Sequence, residues 1–178
     1  MSEGTSIDLA RRPLSAPMME RRRQFIGVGE VYVTRNPSII TTVLGSCVAV
    51  CLWSEGAHAG GMNHFRLPVW EGWGSSPNEY GDMSIRNLLK RMSGVVTGKD
   101  ELCALVFGGG NLLSSESGDT VGGRNLLVAV ETLESEEIRI VSVNPGMQAG
   151  MKIEFDTLSG NVRVSRVQAS AAQEALEQ

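Results

Sequence analysis

The chain has 178 residues, enough for one domain with a hydrophobic core, and its 42% hydrophobic and 20% charged content is ordinary for a globular protein. Its formal net charge of −4 argues against a nucleic-acid partner, which would require a concentrated basic surface. No apolar run approaches the roughly 20 residues of a membrane span, and the first residues form no apolar signal segment, so neither membrane insertion nor secretion is expected.

The first part of the chain is predicted to be rich in strands. Residues 1–24 are polar and lack an apolar period, which predicts a mobile tail outside the domain. Stretches of β-branched and alternating residues predict four strands, at Phe25–Thr34, Ile39–Val43, Val48–Trp53 and Ala59–Leu67. The third of these is apolar at every position, which indicates a strand buried on both faces.

The second part of the chain mixes helices with strands. Apolar residues at spacings of three and four predict a helix over Met83–Met92, with Asp82 as its N-cap, and a second helix over Asn125–Leu133. Four further strands are predicted, at Leu102–Phe107, Ile138–Val143, Lys152–Thr157 and Asn161–Val167. Residues 168–178 are predicted to be a tail, either weakly helical or disordered. Strands outnumber helices too heavily for a doubly wound α/β sheet, so an α+β domain over residues 25–167 is expected.

Residues 41–68 contain two of the three cysteines and both histidines. The turn at Gly45 and Ser46, directly before Cys47, would leave backbone amides free to face a substrate oxygen. A thiol attacks only as the thiolate, so Cys47 needs a base, and His64 on the following strand is the natural candidate. The alternative is that Cys47 is an inert core residue, which is commoner for a cysteine in an apolar segment.

A third polar group is needed to hold the imidazole, and from the residues alone Thr41, Thr42 and Asn63 are all available. A metal site that includes Cys51 and His58 is disfavoured, because the sequence has no tight Cys-x-x-Cys pair and the cysteines lie in a predicted core strand. An odd number of cysteines in a domain of this size is most simply explained by reduced thiols in the cytoplasm.

Several blocks of sequence resemble the chemoreceptor glutamine deamidase family, CheD. They are LGSCVAVCL at residues 44–52, GMNHFRLP at 61–68, YGD at 80–82, FGG at 107–109 and GRN at 123–125. The resemblance implies that Cys47 is the nucleophile, His64 its base and Thr41 the third catalytic member. It also implies a layered α+β domain of packed mixed sheets flanked by helices, similar to toxin-type cysteine deamidases. Backbone amides of Ser46 and Cys47 would hold the oxyanion, with no metal or other cofactor.

The resemblance further implies two partners. The substrates would be glutamine side chains of methyl-accepting chemotaxis receptors, which become glutamates, and a CheC-type phosphatase would bind the deamidase. Residues 144–151 depart from the family pattern, because an acidic residue and an arginine expected there are missing. This departure leaves open an alternative, a non-catalytic binding module that regulates a CheC-type phosphatase or a receptor.

Overall fold

A computed structural model describes residues 5–7, 20–110, 120–146 and 150–167 of the chain. Within these ranges the chain forms ten strands and two α-helices, with short 3-10 turns at Pro77–Glu79 and Lys99–Glu101. In chain order the elements are β1 (Thr5–Ile7), β2 (Arg22–Phe25), β3 (Val31–Thr34), β4 (Ser38–Leu44), β5 (Val48–Ser54), β6 (Ala59–Asn63), α1 (Gly81–Met92), β7 (Cys103–Gly108), α2 (Val121–Ser135), β8 (Arg139–Pro145), β9 (Gly150–Asp156) and β10 (Val162–Val167).

The strands form two mixed five-stranded sheets. The first sheet has the order β1-β10-β9-β4-β2, and the second has the order β3-β6-β5-β7-β8. One pair in each sheet is parallel, β2 with β4 and β7 with β8. One apolar core lies between the two sheets, and a second lies between the second sheet and the helices. The layered α+β architecture expected from the sequence is therefore confirmed.

Strand β5 is the centre of the second sheet, and all seven of its residues are buried. Because side chains alternate along a strand, Val48, Val50 and Leu52 join the core beneath the helices. Cys51 and Trp53 point the other way, into the core between the sheets. Each such large apolar side chain contributes about 1.5–3 kcal/mol when fully buried, so this strand is firmly fixed.

The start of the chain differs from the prediction. Within the predicted tail 1–24, Thr5–Ile7 pairs with β10. Residues 22–24 of the same tail belong to β2, which pairs in parallel with β4, so both segments lie in the first sheet. The single strand predicted over Phe25–Thr34 is also wrong. A turn that contains Gly29, at φ +79°, separates β2 from β3, and glycine adopts this conformation without strain. The tail predicted at 168–178 lies outside the described residues.

Both predicted helices are present, with different starting points. Helix α1 has Tyr80 at its N-cap rather than Asp82, whose Oδ1 instead accepts a hydrogen bond from the Trp70 backbone N–H at 3.1 Å. Helix α2 starts at Val121, and the Thr120 hydroxyl caps it by accepting from the backbone N–H of Gly123 at 3.0 Å. Among the described residues, no helix is both long and apolar enough to cross a membrane.

Candidate active site

The pairing of β5 with β6 brings Cys47 and His64 to the same face of the second sheet. Beyond β6 the pairing continues through Val48 and Phe65, which exchange two backbone hydrogen bonds of 2.9 and 3.0 Å. This register sets Cys47 directly opposite Arg66 and diagonal to His64. Diagonal neighbours lie roughly 7–8 Å apart, close enough for a ring and a thiol to approach each other. This register agrees with the expected approach of Cys47 and His64, whose catalytic pairing stays a prediction.

His64 is held between the two sheets, where only 3% of its surface is exposed. Its Nδ1 lies 2.8 Å from the hydroxyl of Thr42 on β4, and that hydroxyl lies 2.7 Å from the carbonyl oxygen of Ile26. A carbonyl can only accept, so the single hydroxyl proton of Thr42 is donated to Ile26. The hydroxyl oxygen must then accept from His64 Nδ1–H.

This arrangement fixes the tautomer of His64. With the proton on Nδ1, the Nε2 atom keeps its lone pair, which is the form that a general base requires. Nε2 is buried and makes no hydrogen bond with any described residue. The structure therefore presents an unprotonated, unpartnered nitrogen on the face that carries Cys47.

Burial keeps both groups uncharged in the resting protein. It lowers the pKa of His64 to about 4, with the Ile26 carbonyl acting in the opposite direction. It raises the pKa of Cys47 to about 11, against smaller lowering effects of the Arg66 charge and of the backbone N–H of Cys47 itself. At neutral pH the pair is therefore a thiol and a neutral imidazole, not a thiolate and an imidazolium.

The loop before Cys47 is fixed by the glycines that follow β7. The backbone N–H of Gly109 donates to the Cys47 carbonyl at 2.8 Å, and that of Gly110 donates to the Gly45 carbonyl at 2.9 Å. Gly108 has φ +109°, and a Cβ at this position would collide with the Cys47 carbonyl oxygen. The glycine run therefore forms a tight turn beneath the loop of the candidate nucleophile.

The backbone amides proposed for the oxyanion lie in this loop. Within the described residues, the N–H groups of Ser46 and Cys47 donate no backbone hydrogen bond. An oxyanion site requires N–H groups that have no backbone acceptor of their own. Their role stays a prediction.

Asn125 was not singled out from the sequence as a site residue, yet it joins the two halves of the site. Its Nδ2 donates to the carbonyl oxygen of Ser46 at 3.1 Å and to that of Arg66 at 2.8 Å. One buried amide thus ties the loop before Cys47 to the segment after His64. The GRN block at 123–125 was the available signal, but sequence alone does not reveal which backbone groups such an amide contacts.

The third member predicted by resemblance, Thr41, is not the residue beside His64. Side chains alternate along β4, and Thr42 faces the core between the sheets together with Ile40 and Leu44. Thr41 points to the opposite face of the first sheet. The residue beside His64 is therefore Thr42, one of the alternatives open from the residues alone, and the catalytic role of Thr41 stays a prediction.

Asn63, the remaining alternative, is occupied elsewhere. Its Oδ1 accepts from the Val50 backbone N–H at 2.8 Å, and its Nδ2 donates to the Ser84 hydroxyl at 3.0 Å. This buried amide joins β5, β6 and α1, which is a structural role.

The other cysteines and His58 lie outside the site. Cys51 and Cys103 are buried, and burial raises the pKa of each thiol. His58 is exposed in the turn between β5 and β6, at φ 46°. Within the described ranges, no cluster of three or more His, Cys, Asp or Glu side chains is placed to hold a metal ion.

Comparison with known proteins adds family information to this geometry. Residues 67–166 match the family model CheD, described as CheD chemotactic sensory transduction. The "Probable chemoreceptor glutamine deamidase CheD" of Trichlorobacter lovleyi is 42% identical over 146 residues, which cover 82% of this chain and 91% of the relative. A relative with the same description from Sulfurimonas denitrificans is 36% identical, with 84% and 97% covered. Another, from Rhodospirillum rubrum, is 38% identical, with 83% and 84% covered.

Proposed function

The chain belongs to the CheD family, and we propose that it deamidates glutamine side chains of chemoreceptors, with Cys47 as the nucleophile and His64 as the base. One observation carries the assignment of roles. Thr42 and Ile26 hold the proton of His64 on Nδ1, which leaves Nε2 as a proton acceptor on the face that carries Cys47. A histidine with only a packing role would have no need of a fixed tautomer with an unpartnered second nitrogen.

The first half of the reaction forms a thioester. As Cys47 Sγ attacks the carboxamide carbon of the glutamine, its proton passes to His64 Nε2 and a sulfur–carbon bond forms. The carboxamide oxygen becomes an oxyanion, which the N–H groups of Ser46 and Cys47 would stabilise by a few kcal/mol for each donor. When the tetrahedral intermediate collapses, the carbon–nitrogen bond breaks and His64 protonates the departing amine, which leaves as ammonia.

The second half releases the product. His64, neutral again, takes a proton from a water molecule, whose oxygen attacks the thioester carbon. The sulfur–carbon bond breaks, the thiolate recovers its proton from His64, and the receptor side chain leaves as glutamate. Water is consumed and ammonia is produced, so the cycle balances with no redox step and no cofactor.

Two features of the proposal rest on the family resemblance. A CheC-type phosphatase is proposed as a second partner, and a cytoplasmic location is proposed because the signalling domains of the receptors lie there. Co-purification of this chain with the CheC-type phosphatase of the same organism tests the partnership. Failure to form a complex at micromolar concentrations would remove the phosphatase from the proposal.

The activity itself is tested with purified protein and cytoplasmic fragments of the cognate receptors. Mass spectrometry should detect a gain of one mass unit at particular glutamines, the shift of glutamine to glutamate. Cys47→Ala should abolish the conversion, whereas Cys51→Ala, which removes a buried thiol outside the site, should retain it. If the wild-type protein leaves every cognate receptor unconverted, the deamidase proposal fails and a binding module becomes the better explanation.

A further inference from the structure

Arg66 lies next to the candidate nucleophile for reasons that do not depend on catalysis. The isolated antiparallel bridge between Val48 and Phe65 makes Cys47 and Arg66 neighbours across the two chain segments. Independently, Asn125 Nδ2 donates to the carbonyl oxygens of both Ser46 and Arg66. Two separate sets of contacts therefore hold an arginine backbone beside the thiol.

The guanidinium group of Arg66 is also held in place. Its Nε donates to Glu79 Oε2 at 2.6 Å, while the backbone N–H groups of Arg66 and Leu67 both donate to the Glu79 carbonyl at 3.0 Å. The side chain of Arg66 is 52% exposed, so its ion pair is one that contributes little to stability. Among the described residues only Nε of this guanidinium makes a hydrogen bond, so its two terminal nitrogens make none there.

We propose that Arg66 is an electrostatic partner of the nucleophile: its guanidinium, tethered by Glu79, stabilises the negative charge that forms on Cys47 Sγ and on the substrate oxygen during attack. The inference rests on the proposed deamidase function. It gives Arg66 a role in the reaction in addition to the proposed roles of Cys47, His64 and Thr42.

The physical reason is the burial of the thiol. Only 7% of the surface of Cys47 is exposed, so a negative charge on its sulfur loses most of its solvation by water. The charge of Arg66 acts against this loss, and the pKa of the thiol reflects it. His64 is neutral at rest, and the described groups that contact the loop from β7 and α2, Gly109 and Asn125, carry no charge. Arg66 is the cation whose charge lowers the pKa of Cys47, and it acts before the substrate arrives.

The test measures the alkylation rate of Cys47 by iodoacetamide between pH 8 and 9, read by peptide mass spectrometry. Below the thiol pKa this rate is proportional to the thiolate fraction. Arg66→Leu should lower it about 3- to 10-fold, because a rise of about 0.5 to 1 in the thiol pKa lowers the thiolate fraction by that factor. Arg66→Lys should retain the rate within about two-fold. The difference between wild type and Arg66→Leu should shrink in 1 M salt, which screens exposed charges.

Arg86→Leu is the matched control, since Arg86 is a similarly exposed arginine that pairs with Glu136 away from the site. It should leave the alkylation rate within two-fold of wild type. If Arg66→Leu alkylates Cys47 at the wild-type rate, the proposal is overturned. If Cys51 and Cys103 also react with iodoacetamide in Arg66→Leu, that variant has lost its fold. The alkylation rate of Cys47 in Arg66→Gln, compared with wild type, then decides instead.

Receptor deamidation separates this inference from the proposed function. The kcat of Arg66→Leu should fall by about the same factor as its alkylation rate, with KM changed little. A wild-type protein that deamidates no receptor but still shows the alkylation effect refutes the deamidase function alone. A wild-type protein that deamidates receptors, with Arg66→Leu equal to it in both assays, refutes the role of Arg66 alone.

Discussion

The two adjacent threonines of β4 offer a sharp test of the site. Thr42→Val removes the hydroxyl that accepts from His64 Nδ1–H and donates to the Ile26 carbonyl, while it keeps the shape of the side chain. Thr41→Val removes a hydroxyl from the opposite face of the same strand. The pair of variants therefore compares the contact seen in the structure with the assignment implied by family resemblance.

The expected magnitude follows from the hydrogen bonds that Thr42 makes. A buried polar group that loses its partner costs about 1–3 kcal/mol, and here the group is the N–H that defines the base tautomer of His64. In Thr42→Val the imidazole gains access to the other tautomer, in which Nε2 carries a proton and accepts none. We expect kcat/KM for receptor deamidation to fall about 10- to 100-fold, which corresponds to this range of free energies.

The assay is the initial rate of glutamate formation in a receptor fragment, followed by mass spectrometry. Thr42→Ser keeps a hydroxyl in place and should recover most of the activity lost in Thr42→Val. Thr41→Val should stay within two-fold of wild type. The reasoning is wrong if Thr41→Val is the damaging substitution and Thr42→Val remains active.

Three further predictions concern stability and loop geometry. The free energy of unfolding should fall by about 3 kcal/mol between pH 6.5 and 4, because unfolded His64 binds a proton that the buried imidazole, with a pKa of about 4, does not. In denaturant titrations at both pH values, His64→Gln should lack this pH-dependent loss of unfolding free energy. If His64→Gln shows the same pH dependence as the wild type, His64 is not buried as the structure has it. Asn125→Leu leaves the carbonyl oxygens of Ser46 and Arg66 without their hydrogen-bond donor, so it should lower both the thermal midpoint and kcat. Unaltered kinetics would show that this connection between the two backbone segments does not affect catalysis. Gly108→Ala places a Cβ against the carbonyl oxygen of Cys47 and should lower the free energy of unfolding by about 1–3 kcal/mol. A variant with wild-type stability by calorimetry would show that the Cβ is accommodated without a collision.

Strand β5 shows what could be predicted from the sequence. Its run of apolar residues has no polar face, and only a strand covered on both sides satisfies that pattern. Once β5 is central, Cys47 and His64 are separated by one hairpin, and their approach follows from short-range antiparallel pairing. Residues close in sequence thus account for the predictable part of the site.

The threonine assignment shows why the rest could not be predicted. In Ile39-Ile40-Thr41-Thr42-Val43-Leu44 each face of the strand carries two aliphatic residues and one threonine, so period-two alternation cannot say which face is inside. The choice is made by packing against residues far along the chain, such as Ile153 and Phe155 of β9. The same limit applies to β2, whose sequence RRQF has no apolar alternation and whose place depends on pairing with β4.

The resting state of the Cys–His pair has a consequence for how the site is activated. Burial raises the pKa of Cys47 to about 11 and lowers that of His64 to about 4, so it disfavours the charged form of both groups. Burial therefore opposes a preformed ion pair in the resting site. In the proposed mechanism proton transfer accompanies attack on a bound carboxamide, when negative charge moves onto the oxygen that the backbone amides and Arg66 are proposed to stabilise. The burial that keeps His64 neutral thus also lowers the thiolate fraction of Cys47 in the resting site.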